Sequence, residues 1–299
     1  LPFRLRSEPW NPCFSFHKVQ NDQRSTGRIS VFSEKNIREP EEATEKELLL
    51  VHTKEWIDAL SYGTLTMKQI LKLEIPYSQQ MVHGFKRMAG GTILASRMAL
   101  EDGFSANLGG GFHHAFPGHG EGFCAIHDAA VAVRVLQQEG LIRKALFIDC
   151  DVHQGNGTAA IFANDPTVLT ISLHQYHNYP FEKQQSSIDV NLPDRTGDDL
   201  YLQRLEKVYE QAVRQFRPDL IMYIAGADPY REDQLGGLDL SIEGLKQRDR
   251  IVLSIARQKQ IPTVVTFAGG YARRLEDTVT IQSNTVIAAC ELMRSAHTA

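Results

Sequence analysis

Several things are scarce in this 299-residue chain, and each scarcity excludes a class of protein. No apolar run approaches the roughly 18 residues that a helix needs to cross a bilayer, so a helical membrane span is excluded. There are four cysteines, Cys13, Cys124, Cys150 and Cys290, far apart and without a CxxC pair. That argues against a disulfide scaffold and a cysteine-based zinc module, and reduced thiols are expected. Basic charge is not in excess: 32 Lys and Arg against 36 Asp and Glu leave a formal net charge of −4, with no footprint for nucleic acid. The first residues, LPFRLRSEPWNPC, lack the apolar core of a signal peptide, so a cytoplasmic enzyme is expected. No internal repeat, long linker, appended tail or docking extension is visible, which points to a free-standing bacterial enzyme rather than a chromatin-bound one.

What is present is an ordinary globular composition, 42% apolar and 23% charged, and a length suited to one large domain. A polar stretch from His17 to Glu47 reads as a loop-rich entry, residues 1–40 being the least patterned part of a single domain over 1–299. Beyond it, helical patterns (EKELLLVHTKEWIDALS, GFKRMAGGTILASRMALEDG, DAAVAVRVLQQEG, DLYLQRLEKVYEQAVRQF, SIEGLKQRDRIVLSIARQK) alternate with short β-branched runs (SANLGG, KALFIDCDVH, TVLTISLH, PDLIMYIAGAD, IPTVVTFAGGY). A last helix runs to the C-terminus. The alternation predicts an α/β fold, a mainly parallel sheet of about eight strands with helices on both faces. The charge runs Glu41–Glu47 and Arg204–Glu210 read as solvated helix faces.

The polar residues fall at the strand ends. His113 and His114 follow SANLGGGF, Asp149, Asp151 and His153 follow KALFI, and Ser172 and His174 close TVLTI. Asp228 closes LIMYIAGA, and Tyr271 follows TVVTFAGG. In open α/β sheets the ligand crevice lies at the carboxyl ends of the strands. Asp149, Asp151 and His153 stand at i, i+2 and i+4, which on a strand would share one face. Three ionisable groups on a face that should be apolar cost several kcal/mol unless paired, so a metal is the simplest explanation. Asp228 would complete a set of one nitrogen and two carboxylates with a position open for water, the layout of a catalytic zinc site that iron, manganese or cobalt would also suit. His119 is assigned to a surface turn and His127 to a helix start, neither with a chemical role. A metal-activated water, an imidazole from the His113–His114 pair and the Tyr271 phenol together suit hydrolysis of an amide.

Four blocks, GGGFHHAFPGHGEGFC, IDCDVHQGNGT, GADPYREDQLGGLDLS and FAGGY, resemble the signature motifs of the histone deacetylase family, in order and over the chain from about Glu45 onward. HQGNG, DQLGGL and LLLVHT are most similar to its class IV branch. The resemblance implies the arginase/deacetylase fold and a zinc-dependent lysine deacylase, acting on acetyl or longer fatty-acyl groups of a peptide or protein. It further implies Asp151, His153 and Asp228 as zinc ligands, His114 as general base and acid, His113 as its electrostatic partner oriented by Asp149, and Tyr271 as oxyanion donor. Gly122, Phe123 and Tyr179 would wall the acyl-lysine tunnel, with Leu235 near its mouth. A structural potassium ion would involve Asp149 and Ser172 with the carbonyls of Asp151, His153 and Leu173. The chain departs from the class I pattern at Asn156, where those enzymes orient the second histidine with an aspartate. An amide stabilises an imidazolium less than a carboxylate does.

Rival readings are a small-molecule amidohydrolase of the same fold, such as an acetylpolyamine deacylase, and a catalytically silent acyl-lysine-binding module. The first would carry an inserted acidic loop, which is not seen. The second would carry a substitution at 114 or 271, which is not seen either. An arginase-like two-manganese site needs a second aspartate where Pro229 follows Asp228.

Overall fold

The apolar runs become strands buried on both faces. In the computed structural model, which describes residues 37–294, six strands form one sheet in the order β1-β6-β5-β2-β3-β4, every neighbouring pair parallel. They are β1 (Phe104–Asn107), β2 (Ala145–Asp149), β3 (Val168–Gln175), β4 (Ile188–Leu192), β5 (Leu220–Ile224) and β6 (Thr263–Thr266). The helices are α1 (Glu45–Leu48), α2 (Lys54–Tyr62), α3 (Met67–Leu73), α4 (Gln79–Asp102), α5 (Asp128–Gln138), α6 (Asn156–Phe162), α7 (Asp198–Phe216), α8 (Ile242–Gln258) and α9 (Leu275–Arg294).

Strand periodicity explains why the runs are continuous rather than alternating. Ala145 and Phe147 of β2, Leu220, Met222 and Ile224 of β5 and Val264 of β6 enter one core with α2, α4 and α5. Leu146 and Ile148, Ile221 and Tyr223, and Val265 enter the other, with α7, α8 and α9. Each strand therefore needs apolar side chains at odd and even positions alike. On α7 the buried positions Tyr201, Leu205, Tyr209, Ala212 and Val213 repeat at helical spacing, leaving the Arg204–Glu210 charges on the outer face.

Three details differ from the sequence pattern. The sheet has six strands among the described residues, not about eight. The segment around EKELLLVHTKEWIDALS is two helices, because Thr53 accepts a hydrogen bond from the Trp56 amide and restarts the helix as an N-cap. The short elements α3, α6 and β4 have no strong periodicity in the sequence. Most of the expected entry region, residues 1–36, lies outside the described residues; 37–44 carry no helix or strand.

The strand order sets the position of the site. From β2 the chain proceeds outward to β3 and β4, then returns to place β5 on the opposite side of β2. The reversal opens a crevice at the carboxyl ends of β2 and β5, the place where this class of sheet binds ligands.

Candidate active site

β2 ends at Asp149, so Asp149, Asp151 and His153 do not share one face of an extended strand as the spacing implied. The carboxylates themselves bend the chain. Asp149 Oδ1 accepts from the Asp151 amide at 3.1 Å, and Asp151 Oδ1 accepts from the His153 amide at 2.9 Å. These local side-chain to backbone bonds compete with strand continuation and give successive turns. Asp149 thereby points to His113, while Asp151 and His153 point to the β5 end.

Asp228 arrives there after β5 and accepts from the Val152 amide at 2.9 Å. One ligand atom from each of Asp151, His153 and Asp228 lies within 4.8 Å of the others. His153 Nδ1 is 3.0 Å from Asp151 Oδ1 and 3.4 Å from Asp228 Oδ2. Asp228 Oδ2 is the one carboxylate oxygen among the buried side-chain atoms of the described residues that has no hydrogen-bond donor. An orphaned carboxylate oxygen, a second carboxylate and an imidazole nitrogen around one point fit a divalent cation. The electrostatics agree. Burial and the Asp151 charge push the Asp228 carboxyl up to about 7. Burial disfavours a charged His153, but the adjacent Asp151 and Asp228 carboxylates outweigh that and raise it to about 10. A cation and the His153 proton therefore compete for one place. Gly269 gives the carboxylates room: its amide donates to Asp151 Oδ2 at 2.9 Å, and any Cβ there would strike Asp228 Oδ2.

The two histidines sit in the loop after β1, their ring centroids 4.0 Å apart. Asp128, buried in the first turn of α5, holds the loop by accepting from the Gly111 and Phe112 amides at 3.0 and 2.9 Å. His113 Nδ1 meets Asp149 Oδ2 at 2.7 Å. Burial opposes its charge, yet Asp149 and Asp151 outweigh that and raise it to about 9. His114 Nδ1 meets Asn156 Oδ1 at 2.7 Å, at the start of α6. Burial, with the neighbouring His113 and His153 charges, pushes this ring well below the usual imidazole range. Two adjacent histidines thus differ in charge at neutral pH, one imidazolium and one neutral.

Of the expected tunnel residues, Gly122 and Tyr179 lie against His114. Gly122 is at φ 52°, and a Cβ there would lie 2.7 Å from His114 Cδ2 and 3.0 Å from the Tyr179 ring. The Tyr179 ring stands edge-on to His114 at 4.8 Å, and Phe123 faces Tyr271 at 6.2 Å. Tyr271 is 41% exposed, and its amide donates to Asp233 Oδ2 at 2.6 Å. Leu235 is 43% exposed on the neighbouring loop, which Asn178 ties down by donating to its carbonyl at 2.9 Å. Of the potassium set, Asp149 and Ser172 are register partners on β2 and β3, and Ser172 Oγ is 2.9 Å from His174 Nδ1. His119 stacks on Phe116 in a turn, and His127 caps α5 by accepting from the Ala130 amide.

Two residues of this site carried no signal in the sequence pattern. Glu121 Oε1 accepts from Asn156 Nδ2 at 2.5 Å. Arg248 of α8, fully buried, donates to the carbonyls of Gly226 at 2.5 Å and Cys150 at 3.4 Å. A glutamate flanked by glycines and an arginine inside an amphipathic helix both look like solvated charges until the fold brings their partners to them.

The chain is similar to known proteins over most of its length. The model of the histone deacetylase domain matches residues 15–286. An uncharacterized protein of Picosynechococcus is 42% identical, over 83% of each chain. Histone deacetylase 2 of Arabidopsis thaliana is 34% identical over 84% of this chain and 69% of its own length. The acetoin utilization protein AcuC of Bacillus subtilis is 31% identical over 77% of this chain and 65% of its own. A crystal structure of a histone deacetylase homologue complexed with SAHA superposes with a TM-score of 0.76 and 27% identity, over 94% of this chain and 76% of that one.

Proposed function

The chain belongs to the histone deacetylase family of hydrolytic deacetylases, and on that premise we propose that it cleaves the amide between an acyl group and a lysine ε-amino nitrogen, in a peptide or protein. The observation that carries the reading is the Asp151–His153–Asp228 cluster, with its orphaned carboxylate oxygen, beside two histidines, one bonded to the Asp149 carboxylate and the other to the Asn156 amide. Zinc is the ion proposed for the cluster, where it would supply Lewis acidity to water and to the amide carbonyl.

The remaining steps belong to side chains. His114, neutral and held by Asn156 at Nδ1, takes a proton from water at Nε2 and returns it to the departing lysine amine. His113, kept charged by Asp149, remains a fixed positive charge beside it. Burial pushes the Tyr271 phenol above its usual range, so it stays protonated and donates to the carbonyl oxygen as charge develops there. Gly122, Phe123 and Tyr179 form flat walls suited to the aliphatic stem of an acyl-lysine, with Leu235 at the entrance. A potassium ion beside Asp149 and Ser172, with the carbonyls of Asp151, His153 and Leu173, is proposed as a structural cation. The class IV motifs favour longer acyl chains, and a bacterial, cytoplasmic enzyme remains the proposed setting. No helix of the described residues is long and apolar enough to cross a membrane.

The test is hydrolysis of one lysine peptide bearing acetyl, octanoyl or myristoyl groups, with and without a chelator. Release abolished by chelation and restored by zinc is the expected result, with the long chains fastest. A preference for acetyl would keep the chemistry and move the substrate. No turnover by the zinc-loaded protein would overturn the lysine reading in favour of a small-molecule amide or a binding role.

A further inference from the structure

We propose that Glu121 is a positioning residue for the reaction: its carboxylate locks the Asn156 amide in the one orientation that leaves His114 Nε2 bare. The inference rests on His114 being the base of the proposed deacylase. A side-chain amide has a donor end and an acceptor end of nearly the same shape, and its neighbours decide which faces where. At Asn156 one end faces His114 Nδ1 at 2.7 Å and the other faces Glu121 Oε1 at 2.5 Å. An ionised carboxylate only accepts, so the NH2 end must turn to Glu121 and the oxygen to His114. That oxygen obliges His114 Nδ1 to carry the ring hydrogen, and the lone pair is left at Nε2. With the amide reversed, its NH2 would donate to Nδ1. The hydrogen would then sit on Nε2, and the ring could not take a proton there.

The lock is itself held. Glu121 Oε2 lies 2.6 Å from Lys72 Nζ and 3.2 Å from His119 Nε2, and the side chain is only 8% exposed. These hydrogen bonds and the one from Asn156 outweigh burial and bring the carboxyl down to about 2, so it is ionised throughout the working range. Lys72 comes from α3, whose last residue, Leu73, also holds the tunnel loop by accepting from the Phe123 amide at 3.0 Å. Gly157 adds a weaker restraint, its amide donating to Asn156 Oδ1 at 3.1 Å. A cavity of about 430 Å³ is lined by Asn156 and Tyr179 together with Lys72, His119 and Glu121. Without the carboxylate, water from that cavity would compete for the amide. Glu121 also supplies, one residue further out, the negative charge that an aspartate at 156 would have placed directly on the histidine.

A double-substitution cycle in the zinc-loaded full chain tests the proposal. Glu121→Gln removes the acceptor-only group and is expected to lower kcat about tenfold with KM and metal stoichiometry unchanged. Asn156→Asp sets two carboxylates against each other and is expected to lower kcat at least as far. In the double variant the amide introduced at position 121 donates to the carboxylate introduced at position 156, so turnover should recover to within about threefold of the wild type. A merely structural role would make the two losses multiply. Long-range proton–nitrogen spectra of histidine-labelled protein supply a readout independent of turnover: His114 should carry its hydrogen on Nδ1 in the wild type and lose that preference in Glu121→Gln. Full kcat in Glu121→Gln, multiplicative losses, or a wild-type His114 protonated on Nε2 would each overturn the lock. A wild type that hydrolyses no acyl-lysine but holds the Nδ1 tautomer would defeat the deacylase reading and leave the lock standing.

Discussion

Arg248 and Asp249 on α8 are as deeply buried as Asp151 and Asp228, and the two groups nearly touch: Arg248 donates to the carbonyls just before Asp151 and two residues before Asp228. Their bonding differs. Asp249 Oδ1 accepts from Arg248 at 3.0 and 2.8 Å and from the Tyr223 hydroxyl at 2.5 Å, and its Oδ2 accepts from Thr285 at 2.6 Å. One cation meets one anion, and both carboxylate oxygens are satisfied. In the other cluster two carboxylates share one imidazole, and an oxygen is left without a donor. The first arrangement is closed and holds two loops together. The second is open and asks for a cation. Burial of charge is common to both, so only the hydrogen-bond accounting separates a brace from a reactive centre.

The contrast can be broken by experiment. The largest effect is expected from Asp228→Asn, which should lose the metal and at least about 10³-fold in turnover, read by metal stoichiometry and hydrolysis. The metal-free variant should be no less stable than the metal-free wild type, because one of two facing carboxylates is gone. Arg248→Met should do the reverse. It strands Asp249 and is expected to cost about 3–5 kcal/mol of stability, read from the denaturant midpoint at constant slope. Equal destabilisation by the two substitutions would abolish the distinction. Tyr271→Phe sharpens it from the side of chemistry: metal retained, kcat down by roughly 10²–10³ for loss of one oxyanion donor. Near-full turnover would remove Tyr271 from its role.

The smallest effect is a pH dependence at a third buried group of the closed kind. His52 Nδ1 bonds the Phe116 carbonyl at 3.1 Å, and its Nε2 accepts from the His127 amide at 3.0 Å. Burial brings its pKa from 6.5 down to about 4. The unfolded chain therefore takes up this proton first. Stability is intact above pH 6.5 and falls as the pH drops toward 4, by up to about 3 kcal/mol. Comparing urea midpoints at pH 7 and pH 5 in the wild type and in His52→Gln isolates the term, since the variant should lose that part of the slope.

The α/β fold, the parallel sheet and the family were legible because they depend on local pattern: continuous apolar runs, amphipathic helices and four motif blocks. The residues of the site were legible as a set because polar groups at strand ends have nowhere else to go. Their directions were not. The spacing of Asp149, Asp151 and His153 is that of a strand, yet the aspartates bond the amides ahead of them and turn the chain. Glu121 and Arg248 were invisible for a different reason. Their partners are distant in sequence, Asn156 35 residues from Glu121 and Cys150 98 from Arg248, and a charged residue shows no periodicity until its partner is known.

The strand order has a consequence for the birth of the molecule. β2, β3 and β4 follow one another along the chain and can zip together through nearby contacts, whereas Asp228 reaches the β2 end only across a separation of 76 residues. Long-range parallel pairing is the slow part of folding such a sheet. Cation capture during refolding is therefore expected to lag the joining of β2 to β3 and to begin only when β5 docks against β2.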